Sequence, residues 1–287
     1  MSRIIELFGV YHDDGANLRD AVRSQRCPYA HKKCVKTRKS FPQMAIGTCS
    51  VLFRGKEIII CPFRLLEDDQ VFIDCLHLLT MHEPGNRLYV VPEIAIPGGS
   101  VDRFLVSARD GKVRDFVGIE LQTMDTTGTV WPERQRLLHE HGIEVSEGDL
   151  HDKKTFGINW KMTAKTILLQ MHHKAETFEA LGKHLVLIVQ WPFLDYIEKE
   201  FDFRHIVGVR LGDPIHIHSY DLGWNDRKLS LSLGTRVSTD ANGIAKSLGL
   251  RAQARIALED ITIAIEKKLS EHHRLLWPRP DSDGDRR

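Results

Sequence analysis

The stretch FVGIELQ, residues 116–122, alternates apolar and polar positions in the way that a half-buried β-strand does. Val117, Ile119 and Leu121 fall on one face of such a strand, and Glu120 and Gln122 fall on the other. Burying these two polar side chains without partners costs roughly a few kcal/mol. We therefore expect them to contact a hydrogen-bonding neighbour, a metal ion or a substrate.

The elements predicted around this strand define an α/β core. The Asp110-Gly111 pair between VDRFLVSA and VRDFVGIELQ predicts a β-hairpin. RLYVVPEIAIPGGS is a short strand interrupted by Pro92, HLVLIVQ is a strand, and three more short strands are predicted between 205 and 237. Apolar spacing predicts helices over 1–24, 65–79, 132–141, the segment NWKMTAKTILLQMHHKAETFEAL, and 252–275. A helix and then a strand after a hairpin predict a mixed sheet that packs against helices.

The same pattern suggests an order of regions along the chain. Residues 1–64 hold a helix and a cysteine-rich module, and 65–204 hold the mixed-sheet core. Residues 205–275 add strands and a helix, with a possible role in DNA recognition or dimerisation. The tail 276–287, rich in Pro, Asp and Arg, is predicted to be disordered.

Composition narrows the functional classes. The 287 residues are 42% apolar and 28% charged, with a formal net charge of +1, so binding to nucleic acid must rest on local basic patches. The longest apolar runs fall far short of the roughly 20 residues that span a bilayer. The N-terminus lacks the pattern of a secretion signal. We expect a cytoplasmic protein with no membrane partner.

Four of the five cysteines fall within one window of 35 residues, which favours a metal site over disulfides in a reducing compartment. Their spacing matches no common zinc-finger pattern, and free buried cysteines are the alternative. Four thiolates would make a closed structural site that suits zinc and iron equally. The candidate ligands are Cys27, Cys34, Cys49 and Cys61, whereas Cys75 lies in an apolar segment and is interpreted as a core residue.

Two groups of basic residues are candidates for contacts with DNA phosphates. The first is the run HKKCVKTRKS among the cysteines, and the second opens the long helix that starts near 160. A solvent-exposed charged surface is the alternative interpretation of the first run. The residues are Lys32, Lys33, Lys36, Arg38 and Lys39 in the run and Lys161 and Lys165 in the helix.

The hairpin brings Asp102 on its first strand towards Glu120 and Gln122 on its second. Carboxylates on antiparallel neighbours can converge and hold Mg²⁺, as in the PD-(D/E)XK nucleases. In those enzymes the last position is normally lysine, whereas this chain has Gln122. The alternative is that Glu120 and Gln122 bridge to basic residues of neighbouring strands.

In order along the chain, the four cysteines are followed by PEI, a Gly-Gly turn, Asp102, ELQ and INWKMTAKTILLQMHHK. This assembly, from about 20 to about 200, resembles the NotI family of type II restriction endonucleases. The resemblance implies a tetracysteine iron site and a variant PD-(D/E)XK site in which glutamine replaces lysine. It further implies that Asp102 and Glu120 bind catalytic Mg²⁺, that Gln122 orients water or the scissile phosphate, and that Glu93 is a further acidic contributor.

A restriction enzyme of this family would hydrolyse double-stranded DNA at a GC-rich palindrome with a GGCC centre, leaving 5′-phosphates. Two-fold symmetry of such a site predicts a homodimer. Basic residues that flank the C-terminal strands are candidate base readers, with surface salt bridges as the alternative for each. They are Arg204, Arg210, Arg227, Lys228 and Arg236.

Three interpretations remain open from the sequence. The first is the Mg²⁺-dependent endonuclease, and the second is a non-cleaving DNA-binding module in which Glu120 and Gln122 are satisfied core residues. The third is a nuclease of repair or of a mobile element. The His172–His173 and His216–His218 pairs resemble metal ligands, but a solvent-exposed strand face is the favoured interpretation of the second pair.

Overall fold

The computed structural model describes residues 3–38, 41–225, 228–250, 262–263 and 265–267. Residues up to Leu250 belong to one compact unit. Most of the predicted helix over 252–275 and the whole predicted tail 276–287 lie outside the described residues. Of the short described stretch beyond 250, residues 262, 263, 265 and 266 are helical.

The chain begins with strands β1 (Ile4–Leu7) and β2 (Val10–Tyr11), and helix α1 (Gly15–Ser24) follows. The prediction of one helix over 1–24 is therefore wrong for its first half. All four residues of β1 are buried, so this apolar run is a sheet interior and not a helix face. Helix α1 starts after Asp14, whose side chain accepts a hydrogen bond from the Asn17 backbone N–H and caps the helix.

Short antiparallel strands carry the cysteine-rich region. One sheet has the order β2-β1-β7-β8, and two small ribbons pair β3 with β4 and β5 with β6. The bounds are β3 (Arg26–Cys27), β4 (Lys32–Lys33), β5 (Thr37–Arg38), β6 (Phe41–Ala45), β7 (Thr48–Phe53) and β8 (Lys56–Ile59).

The segment after β8 consists of short helical turns. The prediction of one helix over 65–79 is therefore wrong. A 3₁₀ stretch (Pro62–Asp69), helix α2 (Gln70–Ile73) and a second 3₁₀ turn (Leu76–Leu78) follow one another. Asp68 and Asp69 have φ values of 52° and 56°, which break the helical path. The apolar side chains still reach the core, because each short turn presents them to the same side.

The remaining predicted elements are present with close boundaries. Helix α5 ends before Gly182, which adopts a left-handed conformation with φ 59° and caps it. The predicted elements are β9 (Arg87–Ile96), β10 (Gly99–Arg109), β11 (Lys112–Leu121), α3 (Trp131–Glu140), α5 (Trp160–Leu181), β14 (His184–Gln190), β15 (Val207–Gly208), β16 (Ile215–Asn225) and β17 (Lys228–Thr239). The structure adds elements that the sequence pattern did not predict: β12 (Thr126–Gly128), α4 (Glu147–His151), β13 (Phe156–Ile158), α6 (Trp191–Glu200) and α7 (Ala241–Ser247).

The largest sheet in the described part of the chain has seven strands in the order β15-β17-β16-β14-β11-β10-β9. The strands β9, β10 and β11 form an antiparallel meander, and β11, β14 and β16 run parallel. The predicted hairpin turn is confirmed, with Asp110 at φ 51° and Gly111 at φ 74°. Pro92 does not interrupt β9, because β9 is the edge strand and a proline there breaks no ladder.

Both faces of this sheet are covered, which confirms the mixed α/β class. Along β14, Leu185, Leu187 and Val189 belong to one hydrophobic core, and Val186 and Ile188 belong to another. Buried residues of α5 and α6 complete the first core, and the 62–79 turns complete the second. The first core also contains residues from before 64 and after 204, so apolar packing crosses both predicted region boundaries.

A buried arginine joins the N-terminal strands to the β16–β17 hairpin. The Arg64 guanidinium, 0% exposed, lies 2.9 Å from the Glu6 carboxylate on β1 and 3.0 Å from the Glu67 carboxylate. It also donates to the Leu229 carbonyl on β17 at 2.9 Å, and the Leu231 backbone N–H donates to Glu67 at 2.9 Å. One buried cation therefore contacts two carboxylates and a carbonyl of β17, which links three parts of the chain.

We expect Arg64→Met to lower the free energy of unfolding by about 3–5 kcal/mol, because it leaves Glu6 buried without a cation and leaves Glu67 with Lys228 alone. Urea unfolding of wild type and variant measures the change. The control is Arg54→Met, since Arg54 is exposed and its loss should change stability by less than about 0.5 kcal/mol. Equal midpoints for the two variants would contradict the role assigned to Arg64.

Candidate active site

Three acidic residues line up across the antiparallel meander. Arg103 pairs with Ile119, so the next positions along the two strands, Asp102 and Glu120, lie side by side. On the other flank of β10, the pairs formed by residues 101 with 94 and 103 with 92 bracket Asp102 and Glu93. We name Glu93, Asp102 and Glu120 the carboxylate row. It lies near the carboxyl end of β11, and open α/β sheets bind ligands beyond the carboxyl ends of their parallel strands.

Asp102 is held against the neighbouring strand. Its Oδ2 atom accepts a hydrogen bond from the Leu121 backbone N–H at 2.9 Å, and its side chain is half-buried. This bond fixes one carboxylate oxygen beside Glu120. The other oxygen remains available to a ligand, because a carboxylate has more acceptor sites than one bond uses.

Glu120 is buried, with 5% of its surface exposed, and it has a cationic partner that the sequence analysis missed. The Lys174 Nζ atom of α5 lies 2.6 Å from Glu120 Oε1. Burial raises the pKa of Glu120 to about 7, although the ion pair with Lys174 lowers it, and the charge of Asp102 raises it further. A second cation at this row would favour the ionised form of both carboxylates.

The apolar spacing of α5 indicates that Lys174 lies on the buried face of this helix. Buried positions of α5 include Leu168, Met171, Ala175 and Phe178, and position 174 falls on that same face. A lysine on a core-facing stripe needs an anionic partner. That requirement points to a carboxylate of the sheet, but it does not say which strand carries it.

Gln122 lies next to the carboxylate row, and Glu93 is the member of the row on the edge strand. The Gln122 side chain is half-buried, and its Nε2 atom donates to the Thr123 carbonyl at 2.6 Å. Glu93 is exposed on the edge strand and accepts a hydrogen bond from the Ser100 hydroxyl at 3.1 Å. Both side chains can therefore reorient towards a ligand without breaking a buried ion pair.

The turn between β9 and β10 is pressed against helix α5 beside Lys174. Gly98 has φ 92°, and a Cβ atom there would collide with the His173 carbonyl. The Thr177 hydroxyl donates to the Pro97 carbonyl at 3.0 Å. The Gly-Gly turn noted in the sequence is thus the place where strand β10 is positioned against the helix.

The four candidate cysteine ligands line one small cavity of about 10 Å³, which we name the cysteine cavity. This volume is close to that of one water-sized sphere. The cysteines are reduced; Cys34 is half-buried and the other three are buried. Within the described ranges, no set of three or more His, Cys, Asp or Glu side chains has the arrangement of a metal site. The structure brings the cysteines together without showing them in ligand geometry.

The thiols of the cysteine cavity influence one another. Burial raises the pKa of Cys27, Cys49 and Cys61, and the negative charge of a neighbouring cysteine thiolate raises each of them further. The charge of Lys36 opposes this effect at Cys61. Without a cation, four thiolates are therefore unfavourable in this cavity. Cys75 is fully buried in the second core, as predicted.

The basic run is partly engaged in structural contacts. Lys32 and Lys33 are exposed on β4, and the Lys36 Nζ atom donates to the Ile60 carbonyl at 2.9 Å. Arg38 pairs with Asp149 at 3.3 Å and stacks over Trp131 at 4.5 Å. Lys39 lies outside the described residues. Lys161 and Lys165 are exposed on the first turns of α5.

The candidate base readers fall into different environments. Arg204 pairs with Asp202 at 2.9 Å, and the Lys228 ammonium lies 3.0 Å from Glu67 and 3.6 Å from Asp68. Arg210 and Arg236 are exposed, and Arg227 lies outside the described residues. Lys228 therefore contributes to the contact between the hairpin and the 62–79 turns.

The histidine pair on β16 is buried, so the interpretation of a solvent-exposed face is wrong. His216 and His218 are both 0% exposed, and burial lowers their pKa values to about 4 and about 3. The 62–79 turns cover this face of the sheet. On α5, His172 is half-buried and His173 is exposed.

Comparison with known proteins identifies the family. The family model described as restriction endonuclease NotI matches residues 18–208, which is most of the chain. The match includes the four cysteines of the cysteine cavity, the carboxylate row, Gln122 and Lys174. A search of curated proteins finds no match to this chain. None of the described helices is long and apolar enough to cross a membrane.

We expect Gly98→Ala to lower the free energy of unfolding by about 2–4 kcal/mol, because it combines an unfavourable φ with a collision. The matched control is Gly111→Ala. Gly111 also has a positive φ, 74°, but no atom lies within 4 Å of a Cβ there, so the strain costs about 1 kcal/mol. Urea unfolding compares the two variants. A loss at Gly111 as large as that at Gly98 would contradict the close packing of this turn on α5.

Proposed function

Since the chain belongs to the NotI family of restriction endonucleases and is a site-specific deoxyribonuclease, we propose that the carboxylate row with Gln122 is its catalytic site. The observation that carries this proposal is the position of Asp102 beside Glu120 on adjacent strands, near the carboxyl end of β11. In this interpretation the site is a variant PD-(D/E)XK centre. The substrate is double-stranded DNA, and the reaction is hydrolysis of the phosphodiester bond.

The donor set fits Mg²⁺. This ion is bound through one or two carboxylates together with water and phosphate oxygens, and Asp102 and Glu120 provide two carboxylates side by side. The raised pKa of Glu120 also supports the proposal, because it reflects a buried carboxylate near a second negative charge. When bound, Mg²⁺ would lower the pKa of a bound water and stabilise negative charge on the phosphate.

The protein side chains then have separate tasks. Asp102 and Glu120 would hold the metal, and the Leu121 backbone bond keeps Asp102 in place. Gln122 carries an amide that both donates and accepts, so it would orient the attacking water or the scissile phosphate. Glu93 would add a further acidic group from the edge strand. In-line attack would leave a 5′-phosphate and a 3′-hydroxyl.

We further propose that the enzyme acts as a homodimer on a GC-rich palindrome with a GGCC centre. Each protomer would cut one strand, because two-fold symmetry of the protein matches that of the site. Arginine or lysine paired with guanine in the major groove would read the sequence. Among the described candidates, Arg210 and Arg236 are exposed and lie at the C-terminal strands.

The cysteine cavity would hold a structural metal, iron or zinc, through Cys27, Cys34, Cys49 and Cys61. Four reduced cysteines around a cavity of about 10 Å³ support this proposal. Their mutual effect on thiol pKa also supports it, because a bound cation offsets the repulsion between thiolates. The exposed Lys32 and Lys33 lie on the ribbon that this metal would brace, and they would contact DNA phosphates.

The catalytic proposal predicts that purified protein cuts a large GC-rich DNA into discrete fragments with Mg²⁺ and not with EDTA. The fragment ends should share one palindrome. Asp102→Asn and Glu120→Gln should each lower the cleavage rate by at least about 100-fold, because each removes a metal-binding charge. Glu179→Gln, at an exposed position of α5, is the control and should cleave as wild type does. Wild-type cleavage by Asp102→Asn would exclude this site.

The metal proposal predicts about one iron or zinc atom per chain in the protein as isolated, measured by elemental analysis. Cys61→Ser should lose this metal, because it removes one of four ligands. Cys75→Ser is the matched control, since Cys75 is equally buried but belongs to a different core. Retention of the metal by Cys61→Ser, or its loss from Cys75→Ser, would contradict the assignment.

A further inference from the structure

We propose that Lys174 of helix α5 is the catalytic cation of the carboxylate row. It supplies the positive charge that the neutral side chain of Gln122 does not provide. This inference rests on the proposed function of the row. It assigns a chemical task to a residue that the acid-x-polar pattern of the strand does not contain.

The position of Lys174 supports this role. Its Nζ atom lies 2.6 Å from Glu120, and its side chain is 5% exposed, so the ammonium lies at the row and is shielded from water. The Gly98–Gly99 turn closes over it, since a Cβ atom at Gly99 would lie 3.3 Å from Lys174 Cε. A cation held in a water-excluded site acts more strongly on a nearby charge than one in solvent does.

The strand itself provides no such charge. Gln122 is neutral, and its amide nitrogen donates to the Thr123 carbonyl. Arg103, the next residue after Asp102, donates to the Asp102 carbonyl at 2.6 Å and not to a carboxylate of the row. Phosphodiester hydrolysis builds negative charge on the phosphate oxygens, and a positioned cation lowers the energy of that state.

Binding of a metal and binding of Lys174 compete for Glu120. Lys174 Nζ donates to Glu120 Oε1 at 2.6 Å, so a metal ion held by Glu120 would compete with the ammonium for that oxygen. The flexible four-carbon stem then lets Nζ reach a phosphate oxygen or the attacking water beside Glu120. Lys174 donates hydrogen bonds in this role and remains protonated throughout, so no proton transfer is assigned to it.

A second ion pair on the same strand, formed by a half-buried lysine and a buried carboxylate, offers a control. Lys183 lies 2.6 Å from Asp115, which is 2% exposed and sits towards the other end of β11. Loss of either lysine removes a close ion pair with a carboxylate of β11. Only Lys174 faces the carboxylate row, so the two variants separate a catalytic effect from a structural one.

The test compares wild type, Lys174→Met, Lys174→Arg and Lys183→Met on DNA that the wild type cleaves. We expect Lys174→Met to lower kcat by about 100-fold or more while changing DNA affinity, measured with Ca²⁺, by less than about 3-fold. Its affinity for Mn²⁺, measured by calorimetry without DNA, should stay within about 3-fold of wild type, because loss of the competing ammonium offsets the higher pKa that Glu120 has without Lys174. Lys174→Arg should recover kcat to within about 10-fold of wild type.

Lys183→Met should lose stability and keep its kcat below its melting temperature. The proposal is overturned if folded Lys174→Met cleaves within about 3-fold of wild type, or if its loss of kcat follows a loss of Mn²⁺ binding. The first outcome makes Lys174 dispensable for the reaction, and the second makes it a structural support for Glu120. Wild-type cleavage and its loss in Glu120→Gln test the proposed function separately, so failure of one is distinguishable from failure of the other.

Discussion

The buried ion pair between Glu120 and Lys174 is the constraint on which the site depends. A carboxylate in the interior of a sheet is unfavourable unless a cation and hydrogen bonds compensate it. Here the cation comes from α5, the helix that leads into β14. The ion pair therefore connects α5 to β11, the strand beside β14. The close approach of the Gly98–Gly99 turn to α5 then positions β10, and with β10 it positions Asp102.

The N-terminal strands meet the central sheet at the same end as the carboxylate row. The Met124 backbone N–H donates to the Ile59 carbonyl at 3.1 Å, and the Ile59 N–H donates to the Gln190 side chain at 2.8 Å. These bonds join β8 to the segment that follows β11 and to the last residue of β14. Arg64 adds the contact with the β16–β17 hairpin. The cysteine cavity therefore belongs to the same packed unit as the carboxylate row.

Much of this architecture follows from local sequence signals. The Asp110-Gly111 turn, the span of α5 up to Gly182 and the apolar run of β14 each have a direct local cause, and each is present. These elements bring Asp102 beside Glu120, so two predicted site residues do meet. The pairing of the strands places the carboxylates of Asp102 and Glu120 together, but the ligand follows from the chemistry of the side chains around them.

The errors came where tertiary contacts override local pattern. The run IIEL is a strand because β7 and β2 pair with it on either side. The helix predicted over 65–79 is interrupted at two consecutive aspartates with positive φ. His216 and His218 became buried because those turns cover their face. Lys174 was missed for a related reason, since a lysine on a helix is usually exposed. Only its place on the buried stripe, read together with a lone glutamate in the sheet, would have revealed the pair.

In the proposed site, the charges of the carboxylate row and of Lys174 would account for a neutral glutamine at position 122. The row carries up to three negative charges and Lys174 carries one positive charge, so the local sum is close to that which a divalent cation neutralises. A lysine at 122 would add a second ammonium beside Glu120 and would leave less negative charge for a divalent cation to neutralise. With the cation supplied from α5, the strand position is free for a neutral amide that donates to one group and accepts from another. In the proposed mechanism, Lys174 of α5 would supply the charge and Gln122 would supply the orientation.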